Sequence, residues 1–146
     1  MARRLGDHDR LRKAGLVSIQ GLHHVQLAMP AGGESDAEAF YSVLLGLPRV
    51  PRPPDLERRG GCWFRSDAVE IHLGVDTPFA PARKAHPALL VDNLPALRDR
   101  LVSAGVPVAD DEPLDGFERF YGNHPFGNRL EFLARRQGVL QGTKGG

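Results

Sequence analysis

The chain holds a single cysteine, Cys62, so no intrachain disulfide can form. That fits a reducing compartment, and a cytoplasmic location is the expectation. No apolar run approaches the ~20 residues that a membrane-spanning helix requires, so no membrane partner is expected. Aromatic residues are scarce, at 7%. There is no basic stripe: net charge is +1, and the surplus lies at one end. Residues 1–18 carry Arg3, Arg4, Arg10, Arg12 and Lys13 against Asp7 and Asp9, a surplus of three, so the remainder is at −2. Nucleic-acid binding needs the opposite distribution. The first 18 residues also lack the apolar segment of a secretory signal and read as a basic, disordered tail. Residues 135–146, ending Gln-Gly-Thr-Lys-Gly-Gly, read as a second one.

What lies between, residues 19–134, suffices for one domain with a real core. Residues 19–29 read as a strand with Val25, Leu27 and Met29 on one face and His24, Gln26 and Ala28 on the other. Ser35 or Asp36 can cap a helix over 37–45, with Phe40, Val43 and Leu44 at helical spacing and Gly46 as its stop. A short proline-flanked strand (47–52), a loop (53–61) and strands over 62–65 and 68–75 follow. In the last of these, Glu70 and His72 share a face. After a Pro/Ala-rich linker (76–85) the order recurs: a strand over 86–91, a helix over 94–104 stopped by Gly105, a weak strand within 108–114, and strands over 117–122 and 129–133. The connection before the last strand, Pro125-Phe126-Gly127-Asn128, reads as a tight turn in which Gly-Asn tolerates positive φ.

This is a two-fold repeat. His24 and His86 differ by 62 positions, Gly46 and Gly105 by 59, and His72 and Glu131 by 59. The expected fold is α+β: two βαβββ modules, about 19–76 and 85–134, pairing into a curved mixed sheet. Each module covers one apolar face with its helix. The opposite faces carry His24 and His72, then His86 and Glu131. Three imidazoles and a carboxylate make a plausible shell for a divalent transition metal. His23 falls on the helix-facing side of the first strand and reads as structural, and His124 as a turn residue. Strand parity adds Gln26, Trp63, Arg65, Arg119 and Arg129 as candidate substrate-binding residues. Glu131, Glu70 and Tyr121 are candidates for proton transfer.

The matching pieces His24-Val25-Gln26-Leu27, Ala39-Phe40-Tyr41 with Leu45-Gly46-Leu47, Glu70-Ile71-His72-Leu73, His86-Pro87-Ala88-Leu89 and Pro125 through Phe132 resemble the vicinal oxygen chelate superfamily. That group includes glyoxalase I, extradiol dioxygenases, methylmalonyl-CoA epimerase, fosfomycin-resistance thiol transferases and bleomycin-resistance proteins. The resemblance covers about residues 20–134. It implies His24 and His86 as opening-strand ligands and Glu131 as the final-strand ligand. At the end of the first module the family has Glu in glyoxalase I and Gln in the epimerase. This chain has His72 there, a fourth ligand or a supporting group. The implied activity is that of a divalent-metal enzyme, with Fe, Mn, Ni or Zn, acting on a small oxygenated metabolite as a glyoxalase-like lyase or isomerase or as an extradiol-type dioxygenase. The alternative is a metal-free, drug-sequestering protein of the bleomycin-resistance type. A homodimer is also implied.

Overall fold

The computed structural model describes residues 15–136, together with Asp9, Arg10 and Lys13. Most of the basic N-terminal tail and all but residues 135 and 136 of the C-terminal tail lie outside the described residues. The first module runs β1 (Val25–Met29), helix α1 (Glu34–Ala37) continuing directly into a π-helical segment (Glu38–Leu44), β2 (Arg49–Val50), α2 (Pro54–Glu57), β3 (Cys62–Arg65) and β4 (Glu70–Val75). The second runs β5 (Ala88–Leu90), α3 (Leu94–Ser103), β6 (Val108–Asp110), β7 (Phe117–Gly122) and β8 (Leu130–Arg135). No described helix is long and apolar enough to cross a membrane.

Each module builds a four-stranded mixed sheet of the same topology, β1-β4-β3-β2 and β5-β8-β7-β6. The outer strand pairs parallel with the last one: Gln26 faces His72, and Ala88 faces Glu131. The remaining pairs are antiparallel, with Trp63 opposite His72 and Tyr121 opposite Glu131. The repeat read from spacing is therefore a repeat of register.

Helix ends follow local chemistry. Asn93 caps α3 by accepting from the Ala96 amide at 3.2 Å, and Gly46 and Gly105 take φ of 76° and 80° just past the helices. α3 buries Leu94, Leu97 and Leu101 at helical spacing. The first helix departs from the expectation. Val43, predicted to be inward, is 71% exposed, whereas the adjacent Phe40 and Tyr41 are both buried. The wider π turn, closed by the Leu45 amide on the Phe40 carbonyl at 3.0 Å, turns both aromatic rings to the core.

One hydrophobic cluster runs through both modules, from Leu27, Met29, Phe40 and Phe64 to Leu101, Phe120, Leu130 and Phe132. Asn128 ties them together. Its side-chain amide donates to the Ala28 carbonyl at 2.7 Å and accepts from the Ala82 amide at 2.9 Å, at 3% exposure. It does not take positive φ; Gly127 alone does, at 94°. In the loop over 53–61, α2 forms, and the buried Arg52 holds it by donating to the Gly60 carbonyl at 2.9 Å and to the Leu56 carbonyl. Gly61 admits no side chain: a Cβ there would lie 2.3 Å from the Leu73 carbonyl oxygen.

Candidate functional site

Register places the predicted polar residues on the sheet faces away from the helices. In the first module, His24 just precedes β1, Gln26 lies on β1, Glu70 and His72 on β4, and Trp63 and Arg65 on β3. These form a connected group. His72 is buried between two rings, stacked on His24 at 4.0 Å and on Trp63 at 4.0 Å between centroids. Its Nε2 lies 3.1 Å from Glu70 Oε2. Burial, with the neighbouring His24 and His23, holds His72 below the usual imidazole range, against the opposing pull of Glu70. Burial pushes Glu70 up, but the hydrogen bond from His72 and the charges of His72, His23 and Arg65 outweigh it, so its carboxyl lies below the usual range. Arg65 Nη1 reaches Glu70 at 3.5 Å. Gln26 lies over Gly74, where a Cβ would meet its amide nitrogen at 2.6 Å.

His23 corrects the sequence reading. It faces solvent, not the helix, with its side chain 83% exposed. Its Nδ1 is 2.9 Å from His24 Nδ1 and 3.7 Å from Glu70 Oε2. Strand pairing begins only at Val25, so alternation does not extend back to His23. Among the described residues, His23, His24 and Glu70 are the group of three or more potential metal ligands whose donor atoms come within 4.8 Å of one another. The adjacent histidines and a carboxylate on the neighbouring strand were its visible signal.

In the second module, His86 just precedes β5, Arg119 and Tyr121 lie on β7, Glu131 on β8, and Arg129 immediately before β8. Glu131 is 5% exposed. Leu130, Glu131, Phe132 and Leu133 are all buried, so β8 is covered on both faces. A carboxylate there needs partners. His86 Nε2 lies 2.9 Å from Oε1, and Arg119 Nη1 lies 3.3 Å from Oε2. Arg119 also donates to the Tyr121 hydroxyl at 2.7 Å and, from Nε, to the Glu112 carbonyl at 2.7 Å.

The tautomer of His86 follows from its surroundings. Nδ1 is 2.8 Å from the Lys84 carbonyl, which can only accept. Nδ1 therefore carries a proton, and in the neutral ring Nε2 presents a lone pair to Glu131. A lone pair and a carboxylate oxygen at 2.9 Å require a positive centre shared between them, a proton or a metal ion.

Tyr121 connects this pair to a cleft of about 550 Å³ whose lining includes Arg83, Asp110, Asp111, Asn123 and Arg129. Its ring meets His86 edge-on at 5.5 Å, and the Arg129 guanidinium lies 3.8 Å above the ring centroid. The four residues His24, His72, His86 and Glu131 thus form two pairs, one per module. Within one chain no three of them bring donor atoms within 4.8 Å.

No protein-family model matches the chain, and no curated protein does. Solved structures do. A protein assigned to the glyoxalase family from Bacillus anthracis shares 43% identity, with 82% of this chain and 98% of that one covered and a TM-score of 0.77. The genomically encoded fosfomycin resistance protein FosX from Listeria monocytogenes is 15% identical, with 83% and 98% covered and a TM-score of 0.65. An integron cassette protein from the Halifax Harbour sewage metagenome is 22% identical, with 80% and 99% covered and a TM-score of 0.63. The last two share the fold.

Proposed function

Because the chain belongs to the vicinal oxygen chelate superfamily, within its glyoxalase family, we propose that it is a divalent-metal-dependent enzyme acting on a small oxygenated metabolite. The observation that carries this reading is the His86–Glu131 pair. The Lys84 carbonyl fixes a proton on Nδ1, so that in the neutral ring Nε2 turns its lone pair to the buried carboxylate. A metal ligand needs that tautomer and that outer partner. His86 and Glu131 would hold the ion together with His24, and His72 would be a fourth ligand or the support of His24 through their stack. When bound, the ion would polarise a substrate oxygen.

The protein's own groups favour proton-transfer chemistry of the lyase or isomerase kind. Glu131 offers a carboxylate oxygen as base, and Arg119 orients it through Oε2. The Tyr121 hydroxyl receives an Arg119 N–H, so its own proton points elsewhere and is available to a substrate oxygen. Trp63 and the buried face of β8 would limit water. Dioxygenase chemistry is the second possibility within this class, and it requires iron. Metal-free binding of a drug-like molecule has its own support: Arg119 and a shared proton already satisfy Glu131.

We also propose that the ligand set closes between two copies of the chain. Each module carries two of the four residues on a face its own helix leaves open, and one chain does not bring three together. A C2 dimer that faces one copy's first module to the other's second module completes two equivalent sites.

The test is the metal content of untagged protein by elemental mass spectrometry, against a His86→Ala/Glu131→Ala variant. Near-stoichiometric metal lost in the variant is the expected result. Nickel or zinc points to lyase and isomerase assays, iron to dioxygenase assays. Absence of metal after reconstitution, with both proteins folded, overturns the reading and leaves drug binding.

A further inference from the structure

Four arginines approach the second-module cleft, and three of the acids around them are already engaged. Asp110 pairs with Arg98 Nη2 at 3.1 Å, Asp111 with Arg119 Nη2 at 3.5 Å, and Glu131 with Arg119 Nη1 at 3.3 Å. Arg119 is thereby largely engaged, since its Nε also donates to the Glu112 carbonyl and its Nη1 to the Tyr121 hydroxyl. Arg129 is different. It is only half-buried, yet among the described residues its side chain makes no hydrogen bond and no ion pair. Its guanidinium carbon instead sits over the Tyr121 ring, 3.8 Å from the centroid.

That platform is fixed. The Tyr121 hydroxyl is held by Arg119, its ring edge by His86, and the residue is 9% exposed. The Arg129 backbone is anchored too, its amide donating to the Ala82 carbonyl at 2.8 Å. With the guanidinium held over a ring face and no hydrogen bond made, its N–H groups are left for a ligand, in a planar fork that matches two oxygens of one anion. Arg83 stands exposed on the same cleft lining and adds a second positive charge.

We infer that Arg129 is the binding group for an oxyanion, a carboxylate or phosphate-type group carried by the small-molecule substrate. This rests on the reading of the cleft as the substrate site of the enzyme proposed above, and it narrows the substrate class to anions. Tyr121 serves both ends, holding Arg129 on its ring face and turning its hydroxyl toward the Glu131 network.

The experiment is an NMR titration of the full-length protein with inorganic phosphate and, separately, acetate, following the Arg129 side-chain Nε–H resonance. It is run on metal-free and metal-loaded samples. The wild type is expected to bind at least one probe without metal, and the stronger probe identifies the class of oxyanion. Arg129→Gln is expected to weaken that binding about tenfold or more, and Arg129→Lys, which keeps the charge and loses the fork, by less. Metal content should be unchanged in both. Arg129→Lys carries the test if Arg129→Gln does not fold. Failure of the wild type to bind either anion overturns the inference. So does a variant that binds as tightly as the wild type, or binding that vanishes with the metal and ignores Arg129. Metal retained without anion binding defeats only this inference. Anion binding lost in Arg129→Gln, in a protein that never holds metal, defeats only the metalloenzyme reading.

Discussion

Mixing two inactive variants tests the division of the ligand set between copies. One carries His24→Ala and the other His86→Ala. If a site takes His24 from one copy and His86 with Glu131 from the other, each variant alone has two damaged sites per dimer. In a mixed dimer the two lesions fall together in one site and leave the other whole. Random exchange makes about half of the dimers mixed, each with one of two sites intact. Metal content should therefore return to ~25% of the wild-type value, as C2 symmetry dictates. If one chain supplied all the ligands, every site would keep its lesion and the mixture would bind no better than its parts.

The assay is elemental mass spectrometry after the mixed chains have been loosened, allowed to exchange and passed over a desalting column. Native mass spectrometry on the same sample counts the mixed dimers, so failure of exchange is not mistaken for failure of the idea. The added metal is kept near the wild-type dissociation constant, because loss of one ligand weakens a site without abolishing it. Full exchange with no recovered metal refutes assembly across copies. The separation of the pairs within one chain would then have to be bridged by movement of the modules about Asn128.

Other measurements bear on the fold. Cys62 is fully buried, and burial pushes its thiol up to about 11. At pH 8 the thiolate fraction is then about a hundredfold below that of a thiol at 9.0, so a disulfide reagent should react slowly with the folded protein and at once in denaturant; equal rates in both would refute the burial argument. Glu34 accepts from the Gly61 amide at 3.0 Å, and that bond holds its carboxyl below the usual value of 4.5 against the effect of burial. Its stabilisation is present above 4.5 and is lost as pH falls through the lower folded value. Glu34→Gln should cost about 1 kcal/mol at pH 7, with the difference closing in acid, as urea unfolding at several pH values will read; a gap independent of pH would show that charge plays no part.

The two-fold repeat was legible because it is local in period and global in register. Helix stops and strand positions recur at 59 to 62 residues, and the structure converts that offset into equivalent partners, His72 opposite Trp63 and Glu131 opposite Tyr121. What escaped the sequence depended on contacts between distant residues. Alternation puts Leu133 on the same face as Glu131, yet both are buried, at 8% and 5% exposure, since both faces of β8 are covered. Helical spacing marked Val43 as core, and a π segment replaced it with Tyr41. Asn128 looked like a turn former and is a buried bridge between modules, which no turn propensity can show.

The divergence between the duplicated modules is itself informative. At equivalent positions the first carries His24, His72 and Trp63, and the second His86, Glu131 and Tyr121. Duplication preserves the backbone register while the side chains become unequal: one half is a stack of rings, the other a hydrogen-bonded ion network. Neither alone brings three of His24, His72, His86 and Glu131 together; the group that the first module does gather is His23, His24 and Glu70. Joined as proposed, they would provide three imidazoles and one carboxylate, which would leave a divalent ion with a formal charge of +1. A second site carboxylate, Glu70, is occupied by His72 and Arg65. The charge left on the ion would then favour an anionic substrate oxygen, the same preference inferred for Arg129, which has no ion-pair partner among the described residues, on the other side of Tyr121. With the ion held as proposed, the ligand inventory and the Arg129 guanidinium would favour the same substrate charge, and Arg129→Glu should abolish anion binding in the NMR titration, an outcome that binding at the wild-type level would refute.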